Sequence, residues 1–296
     1  MMVRVESRTI PIENRPLDLR RTLRPLHGWF ADDGWWLAAR TPDGPGTIRI
    51  RRTRESVIGE AWGDGNGWLL DRVGSIAGLD DDPTSFRTDH PVVGELHRTH
   101  PGDRFGRTGL VFRALVIAIC GQKVTGAEAT NAMRGLRRRF SEPAPGPNPV
   151  VRLPPDPDAM AEAPYHVFHT LHLEKRRADV IRAVSRQAGR IEQLVNAGTT
   201  EAARHLCSFP GISHWTTAKT LEVSHGDPDQ VAVGDFHLKH MVVHHLTGRD
   251  RGTDEEMLEL LEPFRPHRGR VIRLLHLLGH EPSFGPRLAP RNITRM

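Results

Sequence analysis

The sequence predicts an α+β fold in which a small N-terminal antiparallel β-rich domain precedes an all-α core. Two observations predict it. Short tryptophan-bearing runs punctuated by glycine fill the first hundred residues, and at Thr108 the apolar period lengthens from two to that of a helix and stays there. With 296 residues, 38% of them hydrophobic, the chain can bury the cores of roughly two or three compact units. The expected boundaries are 1–96 for the β-rich domain, 97–284 for the helical core and 285–296 for a basic tail.

In the first domain Trp29, Trp35, Trp36, Trp62 and Trp68 mark the runs GWWLAAR, TIRIRR and GNGWLL. Ile48 and Ile50 alternate with Arg49 and Arg51, as on a half-buried strand. Asp80 to Gly106 reads as the connection to the second unit. There Leu110, Val111, Ala114, Leu115 and Ala118 share one helical face that ends near Gly121, and a second helix is expected over Ala127 to Phe140. The proline-rich stretch EPAPGPNPVVRLPPDPD interrupts the pattern and predicts a surface loop, since proline lacks an amide donor and disfavours helix in its predecessor. Helical periodicity returns over Glu174–Gln187, Glu201–Ser208, Thr216–Ser224, Phe236–Thr247, Asp254–Leu261 and Arg268–Leu278, and Thr253 with Glu256 has the spacing of a capping box.

The net charge of +5 and isoelectric point near 9.8 favour a polyanionic partner, because each neutralised phosphate releases condensed counterions. Two cysteines, Cys120 and Cys207, cannot form a disulfide framework, an iron–sulfur site or a zinc ribbon. His237, His240, His244 and His245 lack an HExxH pattern and read as surface or core residues. The start of the chain has no apolar signal region and no window is a membrane span, so a cytoplasmic protein is expected. Arg265, Arg268, Arg270, Arg273, Arg287, Arg291 and Arg295, against a single acid at Glu281, suggest a patch for the DNA or RNA backbone.

The most informative segment is HLCSFPGISHWTTAKTLEV, His205 to Val223. Two helical runs flank a short hairpin containing Pro210 and Gly211, so the second helix starts with free amides that can seat an anion. Taken alone this is an ordinary helical corner. Further on, QVAVGDFHLKH places Asp235 at the entry to another helix, where an aspartate is commonly just an N-cap.

Together the hairpin and the following aspartate resemble the helix-hairpin-helix DNA glycosylase superfamily. ALVIAICGQKVTGAEAT, LHLEKRRADVIRAV and FRPHRGRVIRLL are similar to further helices of that family, so the resemblance spans roughly residues 97 to 280. The β-rich start is similar to the 3-methyladenine DNA glycosylase II subgroup. The resemblance implies excision of damaged, alkylated purines from duplex DNA, with Asp235 as the catalytic carboxylate and no required cofactor. It places Gln122 beside the damaged base and Lys123 where the subgroup carries a bulky plug. It assigns the amides of Ser213 and Thr216, after Gly211, to a DNA phosphate, helped by a monovalent cation on the carbonyls of Cys207, Phe209 and Ile212.

In bifunctional members a lysine near the start of the second hairpin helix attacks the sugar. Here that position is Trp215, which cannot form a Schiff base, so no lyase activity is expected. Lys219, one turn on, reads as a solvent or phosphate contact. Trp215 and Phe236 are candidate stacking walls for a cationic base, with core packing as the alternative. His267 and leucines stand where the subgroup carries tryptophans. The expected state is a monomer. The rival reading is a catalytically inactive helix-hairpin-helix DNA-binding protein, against which the placement of Asp235 argues.

Overall fold

The computed structural model describes residues 5–279, so the expected basic tail, with Arg287, Arg291, Arg295 and Glu281, lies outside the described residues. Five antiparallel strands, β1 (Glu6–Pro11), β2 (Trp29–Ala31), β3 (Gly34–Thr41), β4 (Gly44–Arg52) and β5 (Ser56–Trp62), form one sheet in the order β1-β5-β4-β3-β2. The register sets Trp35 opposite Ile50 and Leu37 opposite Ile48, so period-two alternation puts all four on the inner face, where each is buried. Three short helices, α1 (Leu19–Leu23), α2 (Asn66–Asp71) and α3 (Val73–Ile76), contribute to this core. The run GNGWLL is therefore not a strand. It is α2, and it buries Leu69 and Leu70 against the sheet; an apolar run that short fits either period.

On the outer face Trp36 stacks between Trp29 and Trp62, with centroids 6.2 and 5.2 Å away, and Arg49 lies 5.4 Å above the Trp36 ring. The proline-rich stretch does more than loop over the surface. It folds back through a bridge between Pro143 and Arg152 and packs Ala144, Val151 and Leu153 with Ala38 on this face, which explains how a sheet this small buries tryptophans on both sides.

The helical part comprises α4 (Pro91–Thr99), α5 (Val111–Cys120), α6 (Gly126–Phe140), α7 (Pro157–Glu162), α8 (Tyr165–His169), α9 (Lys175–Ser185), α10 (Ala188–Glu192), α11 (Thr199–Cys207), α12 (His214–Ser224), α13 (Leu238–Thr247), α14 (Asp254–Leu261) and α15 (Arg268–Leu275). The capping box of Thr253 and Glu256 starts α14, and a second one, Thr125 with Glu128, starts α6. One apolar core is built from α5 to α11, a second from α4 and α13 to α15. Residue 96, where the sequence divides the domains, falls inside α4, whose Val93 and Leu96 belong to the second of these cores.

Helix α12 is the hub. Leu221 enters the first helical core, Ala218 the second, and Val223 the core of the sheet. Helix α5 crosses it and likewise joins two cores, Ala114 facing the sheet and Leu115 the helices. The start of α5 is capped from a distance: the Glu192 carboxylate accepts the Val111 amide at 2.8 Å. Burial pushes the Glu192 carboxyl up to about 7 against the pull of the amides of Val111, Phe112 and Arg113 and the Arg113 charge.

Candidate active site

The hairpin joins α11 to α12 through Ser208–Ser213. Gly211 sits at φ +89°, and a Cβ there would overlap Val180 Cγ2 of α9, so the chain needs glycine for both its backbone conformation and its close approach. Ser213 is the N-cap of α12 and accepts from the Thr216 amide at 3.5 Å. Gly211 and Ser213 are exposed, whereas Thr216 is fully buried and does not reach the surface. The Phe209 carbonyl closes the turn by accepting from the Ile212 amide at 3.0 Å. Cys207 Sγ lies 3.3 Å from Thr217 Oγ1, inside the hairpin.

Gln122 is placed differently from the expectation of a base contact. Its Nε2 donates to the Gly211 carbonyl at 2.9 Å and to Thr216 Oγ1 at 2.8 Å, tying the end of α5 to the hairpin. Both of its amide protons are thereby used. Lys123 follows it, exposed and in the left-handed region at φ +53°, which projects the side chain from the turn before α6.

Twenty residues after Trp215, the loop before α13 brings Asp235 back to it. Asp235 Oδ1 accepts from the amides of His237 at 3.0 Å and Leu238 at 3.2 Å, as an N-capping carboxylate does. Oδ2 does something a cap does not require: it accepts from Trp215 Nε1 at 2.9 Å. Burial pushes the Asp235 carboxyl up, but the Trp215 indole, the two amides and the Lys219 charge outweigh it and hold the carboxyl below its usual range. The carboxylate is thus kept ionised. The loop is fixed from α14, where Asp254 accepts from the Gly234 amide at 3.1 Å and from Lys239 Nζ at 3.2 Å; sequence reasoning missed this positioning residue, whose only signal was an acid at the start of α14.

Helix α13 begins at Leu238, so Phe236 lies in the loop and not in the helix expected from it. Its ring is 63% exposed, edge-on to His237 and His240. Asp235 lines a cavity of about 610 Å³ between α12, α13, α15 and the end of α1 with the turn after it. Lys219, Glu222, Arg21, Arg24 and Arg273 line it with Asp235; Trp215 and Phe236 do not. Its volume is in the range of small-molecule sites. Lys219 therefore faces the cavity rather than bulk solvent alone, with its Nζ 3.2 Å from Glu222.

Of the expected backbone patch, the four described arginines are each engaged by an acid. Arg268 pairs with Asp229 at 2.7 Å, Arg265 with Glu262 at 2.7 Å, Arg270 with Asp81 at 2.6 Å and Arg273 with Asp103 at 2.7 Å. Their acids lie elsewhere in the sequence or just before the helix, and Arg270 is 2% exposed, so the pairs fix α15 to the rest of the chain. His267 is buried beside Phe86, with centroids 5.3 Å apart, and does not line the cavity. Among the described residues no group of three or more His, Cys, Asp or Glu side chains is placed to hold a metal ion, and no helix is long and apolar enough to cross a membrane.

Comparison with known proteins agrees with this architecture. The solved structure of a 3-methyladenine DNA glycosylase from Archaeoglobus fulgidus superposes with a TM-score of 0.71 at 17% identity, covering 91% of this chain and 97% of that one. An 8-oxoguanine glycosylase/lyase from Clostridium acetobutylicum, in complex with double-stranded DNA, gives 0.72 at 13% identity, covering 95% and 98%. These superpositions show a shared fold. No curated protein matches the chain. Residues 116–266, just over half of the chain and containing α6 to α14, the hairpin and Asp235, match the HhH-GPD superfamily base excision DNA repair protein family. This chain therefore belongs to the HhH-GPD superfamily of base excision DNA repair proteins.

Proposed function

We propose that the protein is a monofunctional DNA glycosylase that releases a damaged base from duplex DNA by hydrolysis. The observation that carries this reading is the ionised Asp235 carboxylate, held by Trp215 Nε1 at 2.9 Å on the wall of a cavity large enough for a flipped base. Heterolysis of the N-glycosidic bond leaves positive charge on the deoxyribose, and a fixed carboxylate facing that carbon stabilises the transition state and orients the attacking water. Flipping the base costs a few kcal/mol and is least costly at a damaged pair.

The exposed hairpin residues Gly211 and Ser213 fit a phosphate seat, with a monovalent cation on the carbonyls of Cys207, Phe209 and Ile212 as its second element. Lys123 fits a role at the gap left in the stack, its stem filling space and its ammonium reaching phosphate. Absence of lyase chemistry rests on Trp215 at the position of the attacking amine.

The alkylated purines implied by the resemblance would call for open π faces around a cationic base. Neither Trp215 nor Phe236, which is 63% exposed, lines this cavity. The test is borohydride trapping alongside base release: the wild-type protein should release base without forming a covalent adduct. An adduct that disappears in Lys219→Ala would make the protein a lyase that uses the cavity lysine.

A further inference from the structure

Four basic side chains, Arg21, Arg24, Lys219 and Arg273, line the cavity against two carboxylates, Glu222 and Asp235. They reach it from three directions: Arg21 and Arg24 from α1 and the turn after it, Lys219 from α12, Arg273 from α15. Arg21 and Arg273 share a buried anion behind the wall, Asp103, at 2.8 and 2.7 Å, which holds both guanidinium groups in place. Lys219 is near enough to Asp235 for its charge to stabilise the carboxylate. Apart from histidine, the aromatic side chain lining the cavity among the described residues is Phe105. Its ring already carries the guanidinium groups of Arg273 at 4.9 Å and Arg270 at 5.1 Å.

We infer that this cavity is a leaving-group site for neutral purines bearing exocyclic carbonyl oxygens, such as deaminated or oxidised bases, and that Lys219 and Arg273 stabilise the departing base. The inference rests on the glycosylase reading and names the substrate class of the same site. Arginine and lysine only donate hydrogen bonds, so the wall complements acceptors on the base. Charge balance gives the stronger reason. When the C1′–N9 bond breaks, its electron pair leaves with the base. A neutral base departs as an anion, which the cationic wall stabilises, while Asp235 faces the positive sugar. Water then forms the C1′–O bond, and its proton neutralises the base anion. An N-alkylated base enters as a cation, is repelled by the wall, and leaves uncharged, so the wall gives its departure no anion to stabilise.

The test uses the full chain and duplexes carrying a single hypoxanthine, 8-oxoguanine or 7-methylguanine, each single-turnover rate being divided by the spontaneous release rate. The enhancement should be at least about ten-fold greater for a neutral oxopurine than for 7-methylguanine. Lys219→Gln, at a half-exposed position, should lower the neutral-base rate about ten-fold and the 7-methylguanine rate less than about three-fold. Arg24→Gln, at an exposed position, gives a second variant of the same wall and should act in the same direction. Equal or greater enhancement for 7-methylguanine, or loss of both rates in equal proportion in both variants, would overturn the inference and leave the glycosylase reading standing. Release of no base of either class would overturn that reading as well.

Discussion

Trp215 Nε1 donates to Asp235 Oδ2 at 2.9 Å, so an indole near the start of α12 supports a carboxylate in the loop before α13. Because the other oxygen caps α13 through His237 and Leu238, the carboxylate is held at both ends.

Trp215→Phe keeps most of the ring and removes the donor. The Asp235 carboxyl lies below its usual range partly through that bond, so its pKa should rise in the variant. In the proposed mechanism the ionised form is the active one, so the acid limb of the kcat/KM profile should move to higher pH. At neutral pH, loss of one hydrogen bond to a charged group, about 1.5–3 kcal/mol, corresponds to a rate loss of roughly ten-fold or more. An acid limb that stays in place would detach Trp215 from the titration.

Gly211→Ala should destabilise the fold by about 1–3 kcal/mol, because it strains a φ of +89° and drives a Cβ into Val180. Chemical denaturation measures this. Adding Val180→Ala should restore part of the loss, giving a non-additive double variant. DNA contact at this surface is better read from Lys123→Gln, which should lower the slope of log affinity against log salt by about one.

Much of the site was legible in the sequence. The hairpin, the isolated Asp235, the helix runs and the capping box of α14 are local patterns, and local backbone chemistry placed them. What was not legible depends on partners far apart along the chain. Arg270 looked like a phosphate contact until Asp81, 189 residues away, was found to pair with it. The acceptor of the Gln122 amide, the carbonyl of Gly211, lies 89 residues further along the chain. Phe236 has a helical pattern ahead of it, yet the Asp235 cap delays the helix to Leu238 and leaves the ring in solvent. The charged cavity wall is assembled from α1, α12 and α15, and no window of sequence contains it.

Glu192 predicts a stability effect remote from the site. Its folded-state carboxyl titrates at about 7, above the ordinary carboxylate range, so between the two the native state holds a proton that the unfolded chain has released. Its contribution is therefore fully present below the unfolded pKa and is lost as pH rises through about 7. Glu192→Gln removes this dependence. Relative to wild type the variant should gain about 3 kcal/mol between pH 4.5 and 8, read as a change in Tm difference across that window. A constant difference would contradict the assignment.

The most direct measurement is single-turnover base release by Asp235→Asn alongside duplex affinity. The variant keeps the shape and one capping acceptor but places an amide opposite the Trp215 N–H in one of its two orientations, so a stability loss of about 1–2 kcal/mol is expected, with the fold intact. Duplex affinity should stay within about three-fold of wild type, since phosphate contacts carry it. Excision should fall by at least about a hundred-fold, because the charge facing the sugar cation is gone. A folded Asp235→Asn that releases base at the wild-type rate would contradict the account.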